Sequence, residues 1–471
     1  MKLRHDPRTA VLIALILTMA LVAMDTTILA TAVPQVVGDL GGFDQVGWVF
    51  SIYLLAQTVT IPIYGKLTDL YGRKPILVIG VAVFLLGSAL SAGAWNMVSL
   101  IAFRAVQGIG AGAIGSTVQT VAGDLYTVAE RGRIQGYLAS VWGISAVIAP
   151  ALGGLFAQYL SWRWIFLVNI PIGVFALYLI LRDLHDDVER RPHRIDYLGS
   201  MLVLIAAGAL ILGLLQGGTT WSWGSPASIA VFTVAVVAGV ALLFAERRAA
   251  EPILPSWLWR RRHTAASMAA TATAGMMVIG LSVYLPNWGQ VVLGLSPVAA
   301  GFVLAAMSIT WPLASGISAR IYLRIGFRNT ALLGGVTAVA AAAGFTLLGP
   351  DAPVWQPVAC TAVMGAGMGW LFSPLIVGLQ NTVGWGQRGT ITGGLMFSRF
   401  LGQSLGAAGF GAVANTVLRH QHDQPDAVAM HAATHAVFVG LLVAGAVSVL
   451  LLLFVPRRFP VHTPTPDEPA T

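Results

Sequence analysis

Charge is scarce in this chain. Only 10% of its 471 residues are Asp, Glu, Lys or Arg, against roughly 25% in soluble proteins. Cysteine is almost absent. Cys360 stands alone in an apolar run, which excludes a disulfide within the chain and disfavours a cysteine-based metal site. There is no Walker phosphate loop and no H-E-x-x-H, which disfavours a primary pump and a zinc-type intramembrane hydrolase. No enzyme activity is expected, and no cofactor or metal. Acids are fewer than bases, 19 against 27, for a net charge of +8. The bases lie in short loops between apolar runs, so nucleic acid is not the expected partner.

Apolar sequence is what fills the chain, with 56% hydrophobic residues and a mean hydropathy of +0.78. No soluble core could absorb this much, so the bilayer must be the solvent. Fourteen spans are expected, at 10–34, 45–64, 75–94, 97–121, 134–158, 162–181, 197–216, 225–245, 265–286, 296–319, 328–348, 355–380, 388–414 and 433–455. The N-terminal basic residues Lys2, Arg4 and Arg8 precede an apolar stretch longer than a typical signal core, which reads as a retained first helix. With the N-terminus inside, 23 of the 27 Lys and Arg fall in cytoplasmic segments. Arg163 and Arg419 fall outside, and Arg104 and Arg399 lie within spans. This asymmetry fixes both termini on the cytoplasmic side.

The expected fold class is an all-α polytopic membrane protein. Residues 1–181 and 264–456 each hold six spans. Residues 182–263 hold cytoplasmic linkers and two extra spans with few polar residues. Trp257 and Trp259 beside Arg260 to Arg262 suggest an interfacial segment. Residues 457–471 read as a disordered cytoplasmic tail.

The stretch Tyr64 to Val78, YGKLTDLYGRKPILV, joins two spans by a very short turn. Asp69 and Arg73 are four apart, acid first, the favourable order for a pair on one helical face. Gly65 and Gly72 allow close backbone approach, and Lys66, Arg73 and Lys74 argue for the cytoplasmic side. The pattern resembles the G-x-L-x-D-x-x-G-R-K loop of the major facilitator superfamily, with Leu70 in place of a usual basic residue. Ser318 to Asn329 echo it weakly: Arg320, Gly326 and Arg328 stand roughly where Lys66, Gly72 and Lys74 stand, and the acid is missing. Repeated halves are typical of secondary transporters, with the binding site between them.

Asp25 is the only acid well inside a span, a costly position that is a functional hypothesis by default; the alternative is a carboxylate satisfied for packing alone. Its surroundings, Ala23 to Ile28 and on to Pro34, resemble the L-D-x-T-I-V-x-x-A-L-P element of fourteen-span drug exporters in that superfamily. Arg104 lies at a similar depth in the fourth span. Arg104-Ala105-Val106-Gln107-Gly108 resembles the family's R-x-x-Q-G element, whose arginine acts in proton coupling. The resemblance implies that Asp124 pairs with Arg73; a solvated helix-end carboxylate is the alternative. Gly143, Pro150, Gly153 and Gly154, followed by Trp162 to Pro171, resemble the antiporter element G-P-x-x-G-G with its W-R-W-I-F-x-x-N-x-P sequel. Ala149 replaces the usual glycine before the proline.

In the thirteenth span Arg399 sits near mid-membrane, facing water, a substrate anion or backbone carbonyls, with Gln403 one turn on. Gln57, Gln107, Trp288 and Gln290 are further cavity candidates. His420, His422, Asp423, Asp426, His431 and His435 could form a metal or pH site, but a solvated loop is the favoured reading.

The resemblance covers essentially the whole chain. It implies the superfamily's fold, two six-helix bundles plus two extra helices. It also implies a proton-coupled antiporter, of the fourteen-span drug-exporter branch, in a bacterial plasma or inner membrane. Asp25 would load the proton, Arg104 would tune its affinity, and Gly65 to Lys74 would latch the inward-closed arrangement. The expected partners are small amphiphilic substrates, protons and membrane lipids, with the chain acting as a monomer. Two other classes stay open: a lipid or cell-envelope precursor translocase, which a hydrophobic side opening would favour, and a non-transporting receptor or scaffold.

Overall fold

The computed structural model describes residues 7–42, 45–185, 196–218, 220–421, 424–457 and 459. Most of the 182–196 linker and nearly all of the expected disordered tail lie outside them. In hydrocarbon a chain must satisfy its own backbone polar groups, so the apolar runs close as helices. Among the described residues no strand forms.

The first run comprises α1 (Pro7–Ile28), a 3-10 turn (Leu29–Ala32) and α2 (Val33–Leu40). Then come α3 (Val46–Tyr71), α4 (Arg73–Ala92), α5 (Met97–Leu125), α6 (Val128–Tyr159), the short α7 (Trp164–Leu167) and α8 (Asn169–Asp183). Next are α9 (Tyr197–Gln216), α10 (Pro226–Arg248) and the short α11 (Trp257–Arg260). The rest are α12 (Arg262–Val291), α13 (Pro297–Ile325), α14 (Phe327–Thr346), α15 (Trp355–Gln380), α16 (Arg388–His420) and α17 (Asp426–Leu453).

Thirteen segments among the described residues are long and apolar enough to cross a membrane. The remaining expected span, 388–414, is present as α16 but is less apolar. Its first eleven residues, through Ser398, are almost all buried within the protein, and the polar Arg399, Gln403 and Ser404 beyond them are half-buried.

α1, α3, α4, α5, α6 and α8 pack together, and α12 to α17 form a second set. The two sets meet along two seams, α3 with α16 and α6 with α13. α9 packs on α10 and also touches α3 and α16, beside the first seam. Small residues let the seams close. A Cβ on Gly65 would lie 2.6 Å from the Gly389 carbonyl oxygen, and one on Gly136 would lie 2.9 Å from Gly316 Cα.

Gly72 and Gly326 are each the single residue between two long helices. Their backbones nearly coincide, at φ 93° and ψ 165° against φ 87° and ψ 160°. The weak internal repeat therefore has a conformational counterpart at a position only glycine adopts easily. It also corrects one expectation. Asp69 ends α3 and Arg73 begins α4, so the two face each other across a turn, 3.6 Å apart, and not along one helical face. In the second set Phe327 follows the glycine where Arg73 does, and its ring lies against Gly378.

Candidate functional site

Asp25 sits in the last turn of α1 with 1% of its surface exposed. Its Oδ2 accepts from Arg104 Nη1 at 2.5 Å, and its Oδ1 accepts from Gln107 Nε2 at 2.8 Å. Arg104 Nη1 also donates to Gln107 Oε1 at 2.7 Å, and its Nε donates to the Val49 carbonyl at 3.3 Å. Its guanidinium lies 4.2 Å from the Tyr53 ring centroid. Gln107 Nε2 reaches Ser88 Oγ at 2.7 Å, which Asn169 Nδ2 contacts at 3.1 Å.

The helices can come this close because α5 presents glycine to α3. A Cβ on Gly108 would lie 2.5 Å from the Tyr53 carbonyl oxygen. The resulting cluster is buried, and both carboxylate oxygens are occupied. A buried pair of this kind depends on its partners, so neutralising Asp25 with a proton would release Arg104. Gln107, expected to line a cavity, belongs to this cluster instead. Ser88, Tyr53 and Asn169 were not anticipated in it; Asn169 falls inside the W-R-W-I-F-x-x-N-x-P stretch, which was its one sequence signal.

A second polar cluster lies where α3 turns into α4. Arg73 Nε donates to Asp124 Oδ2 at 2.7 Å, Nη1 to the Thr68 carbonyl at 2.9 Å and Nη2 to the Trp385 carbonyl at 2.6 Å. The Arg73 guanidinium rests 3.4 Å from the Trp385 ring centroid. Arg388 Nη1 donates to Asp124 Oδ1 at 2.9 Å, so Asp124 joins both sets of helices. Asp69 accepts the Gly389 and Thr390 backbone N–H groups, and the Thr390 hydroxyl, each at 2.7 Å. Gln380 Nε2 donates to the Gln119 carbonyl at 3.0 Å, and Tyr322 Oη to the Val128 carbonyl at 2.5 Å. Every hydrogen bond between described residues of the two sets lies at this end, which is therefore closed. Lys74 reaches the Leu181 carbonyl at 2.8 Å, within the first set.

The other expected residues divide. Gly143 meets the Ser308 carbonyl of α13 and Gly153 meets α1, while a Cβ on Gly154 would meet nothing within 4 Å. α6 runs unbroken through these glycines, and the Pro150 side chain lies outside the described residues. Gln57 is buried with its Oε1 unpartnered. Trp288 is buried at the far end, donating to His431 Nδ1 at 3.1 Å, and Gln290 donates to the Pro286 carbonyl of its own helix at 3.3 Å. Both therefore serve helix packing and do not join the central clusters. Among the described residues no group of three His, Cys, Asp or Glu could hold a metal; His422 and Asp423 lie outside them.

Of the expected surroundings, the Arg399 guanidinium meets no backbone carbonyl among the described residues; it faces two rings, Phe372 at 4.8 Å and Trp311 at 5.1 Å. The string Gly402-Gln403-Ser404-Leu405-Gly406 matches G-x-S-x-G, yet it lies mid-helix, and the Ser404 hydroxyl donates to the Phe400 carbonyl at 3.2 Å. The strand-to-helix turn that exposes a nucleophilic serine is missing there.

Comparison with known proteins agrees with this architecture. The Major Facilitator Superfamily profile matches residues 15–196 and 187–407. Multidrug resistance protein 3 of Bacillus subtilis is 37% identical over 415 residues, 87% of this chain and 80% of that protein. Multidrug transporter protein MdtP of the same organism is 32% identical over 88% of this chain and 76% of its own length. The crystal structure of the human organic anion transporter MFSD10 superposes with a TM-score of 0.68 over 95% of this chain and all of that one, at 16% identity, a likeness of fold alone. A multi-span helical chain, with this profile over most of its length and these relatives, belongs to the Major Facilitator Superfamily, as a membrane transporter and not an enzyme.

Proposed function

We propose that the protein is a proton-coupled antiporter that exports amphiphilic compounds across the bacterial inner membrane by alternating access. The observation that carries this reading is the buried Asp25–Arg104–Gln107 cluster, where a proton on Asp25 would change charge deep within the first set of helices. A proton arriving from outside would neutralise Asp25 and free Arg104. The rearranged charge would favour opening of the end held by Asp69, Arg73 and Asp124. A substrate entering from the cytoplasm would favour proton loss and reclosure. The names of the two Bacillus relatives support export of small compounds. The experiment is a screen of candidate compounds in proteoliposomes with an imposed proton gradient. Gradient-dependent accumulation of a compound, with matching proton flux, is the expected result; compound-independent proton flux alone, or none, refutes the reading.

One observation favours a second reading, a translocase for lipids or cell-envelope precursors. A cavity of about 200 Å³ opens between α9 and α16, lined mainly by small and aliphatic residues such as Leu214, Ala408 and Gly411, with Arg419 at its rim. It would admit an acyl chain from the side. Movement of fluorescent phospholipid between leaflets of proteoliposomes, with no export of soluble amphiphiles, would select this reading.

A further inference from the structure

α16 carries a charge that proton coupling does not use. Arg399 lies eleven residues beyond Arg388, about 16 Å along the helix axis. It is half-buried, makes no hydrogen bond or ion pair with a described residue, and its Nε is buried without a partner. Its guanidinium instead faces Phe372 of α15 and Trp311 of α13. Those two rings stack on each other, 5.3 Å apart and 7° from parallel.

Deep in the spans, Asp25 and Arg104 cancel, and Arg399 leaves one positive charge in excess. Cation–π contact contributes about 0.5–2 kcal/mol, well short of what removing a guanidinium from water costs without an anion. The fork of N–H donors matches a carboxylate, sulfonate or phosphate. Gln403, one turn along α16, also makes no hydrogen bond to a described residue and could serve a second oxygen. α13 and α16 are the helices of the second set that make the main contacts with the first, so Arg399 and Trp311 stand on the walls of the path between the sets. The rings already face a cation, so they do not form an empty cage for another. Their edges remain as an apolar surface beside the charge.

We propose that Arg399, framed by Trp311 and Phe372, is the anion subsite of the transport path, and that it selects amphiphiles in which one acidic group is joined to an aromatic body. The proposal rests on the transporter reading, since it assigns a substrate class to the same path. Exchange of an inward proton for an outward anion moves two charges in one direction, so such a substrate would be driven by membrane potential as well as by pH.

The test is equilibrium binding to the purified full chain in detergent, with no gradient. Two probes share one ring system: anilinonaphthalene sulfonate carries an anion and phenylnaphthylamine does not. The wild type should bind the sulfonate in preference to the neutral dye. Arg399→Gln should weaken sulfonate binding about tenfold or more while changing neutral-dye binding less than about twofold. Arg399→Lys should keep part of the preference for the anion. Undiminished sulfonate binding by Arg399→Gln, or equal loss of both dyes, overturns the subsite. So does a wild type that binds the neutral dye as tightly as the sulfonate, a result independent of how any variant folds. A protein that passes this test but shows no gradient-driven export would refute the antiporter reading and not the subsite.

Discussion

Asp69 accepts both the backbone N–H and the hydroxyl of Thr390, each at 2.7 Å, although the two residues are 321 positions apart. The first turn of α16 has no capping side chain from its own N-cap, Gln387. A helix start needs acceptors for its free N–H groups and favours negative charge. Asp69 supplies both from the other set of helices.

Asp69→Asn and Arg73→Ala are therefore expected to slow transport without abolishing substrate binding. Losing one hydrogen bond of the closed end costs about 0.5–1.5 kcal/mol, a shift of roughly 2- to 13-fold in the ratio of closed to open molecules. Distances between spin labels on the latch ends of α3 and α16 report that ratio. Lost binding with an unchanged distance distribution would show that the cluster is not a latch.

Asp25→Asn should abolish proton-driven efflux, because an amide cannot cycle a proton. Size is conserved, and Gln107 and Arg104 keep a polar neighbour, so the variant should insert and remain folded. Vesicle transport under an imposed pH gradient, beside a thermal melt, decides the matter; full gradient-driven transport would remove Asp25 from the mechanism.

Gly65→Ala and Gly154→Ala make a contrasting pair. A methyl group on Gly65 would strike the Gly389 carbonyl and the Gly393 backbone, whereas Gly154 has open space. The first should prop the latch end open and slow turnover several-fold. The second should leave turnover within about twofold and match the modest effect of open-surface substitutions. A slow Gly154→Ala variant would mean that this glycine serves a state with a different α6 contact.

Rigid dications should be poor substrates compared with neutral lipophiles and monocations. Both oxygens of Asp25 are already engaged, and Arg399 adds an opposing charge. A dication would lack the partners needed to offset its desolvation. Competition between mono- and dicationic dyes of similar size in everted vesicles measures this, and equal competition by dications would contradict it.

Much of this arrangement can be read from the residues alone. Hydropathy and loop charge place the helices, and similar depth in two spans makes Arg104 the natural partner of Asp25, although only the structure brings them into contact. What resists reading is pairing across long separations. Asp69 lies four residues from Arg73, which suggests a helical pair; the positive φ of Gly72 breaks that helix and frees the carboxylate for α16. No local pattern marks Trp385 as a neighbour of Arg73, Arg388 of Asp124 or Thr390 of Asp69. Trp311 and Phe372 come from different helices and meet Arg399 only through packing. Gln107 looks like a pore-lining amide in the sequence because an amide at helix spacing suits a cavity or a carboxylate equally well.

The closed end also has a consequence for water. One carboxylate, Asp69, satisfies three donors of α16, and the Trp385 and Gln119 carbonyls satisfy donors from Arg73 and Gln380. When the end opens, each of these groups must exchange its partner for solvent or be left at a cost. The α6–α13 seam, lined by Gly132, Gly136, Gly316 and Ala319, carries one such bond, from Tyr322 to the Val128 carbonyl. Opening is thus a hydration step concentrated on one seam, and lowered water activity should hold the molecule shut.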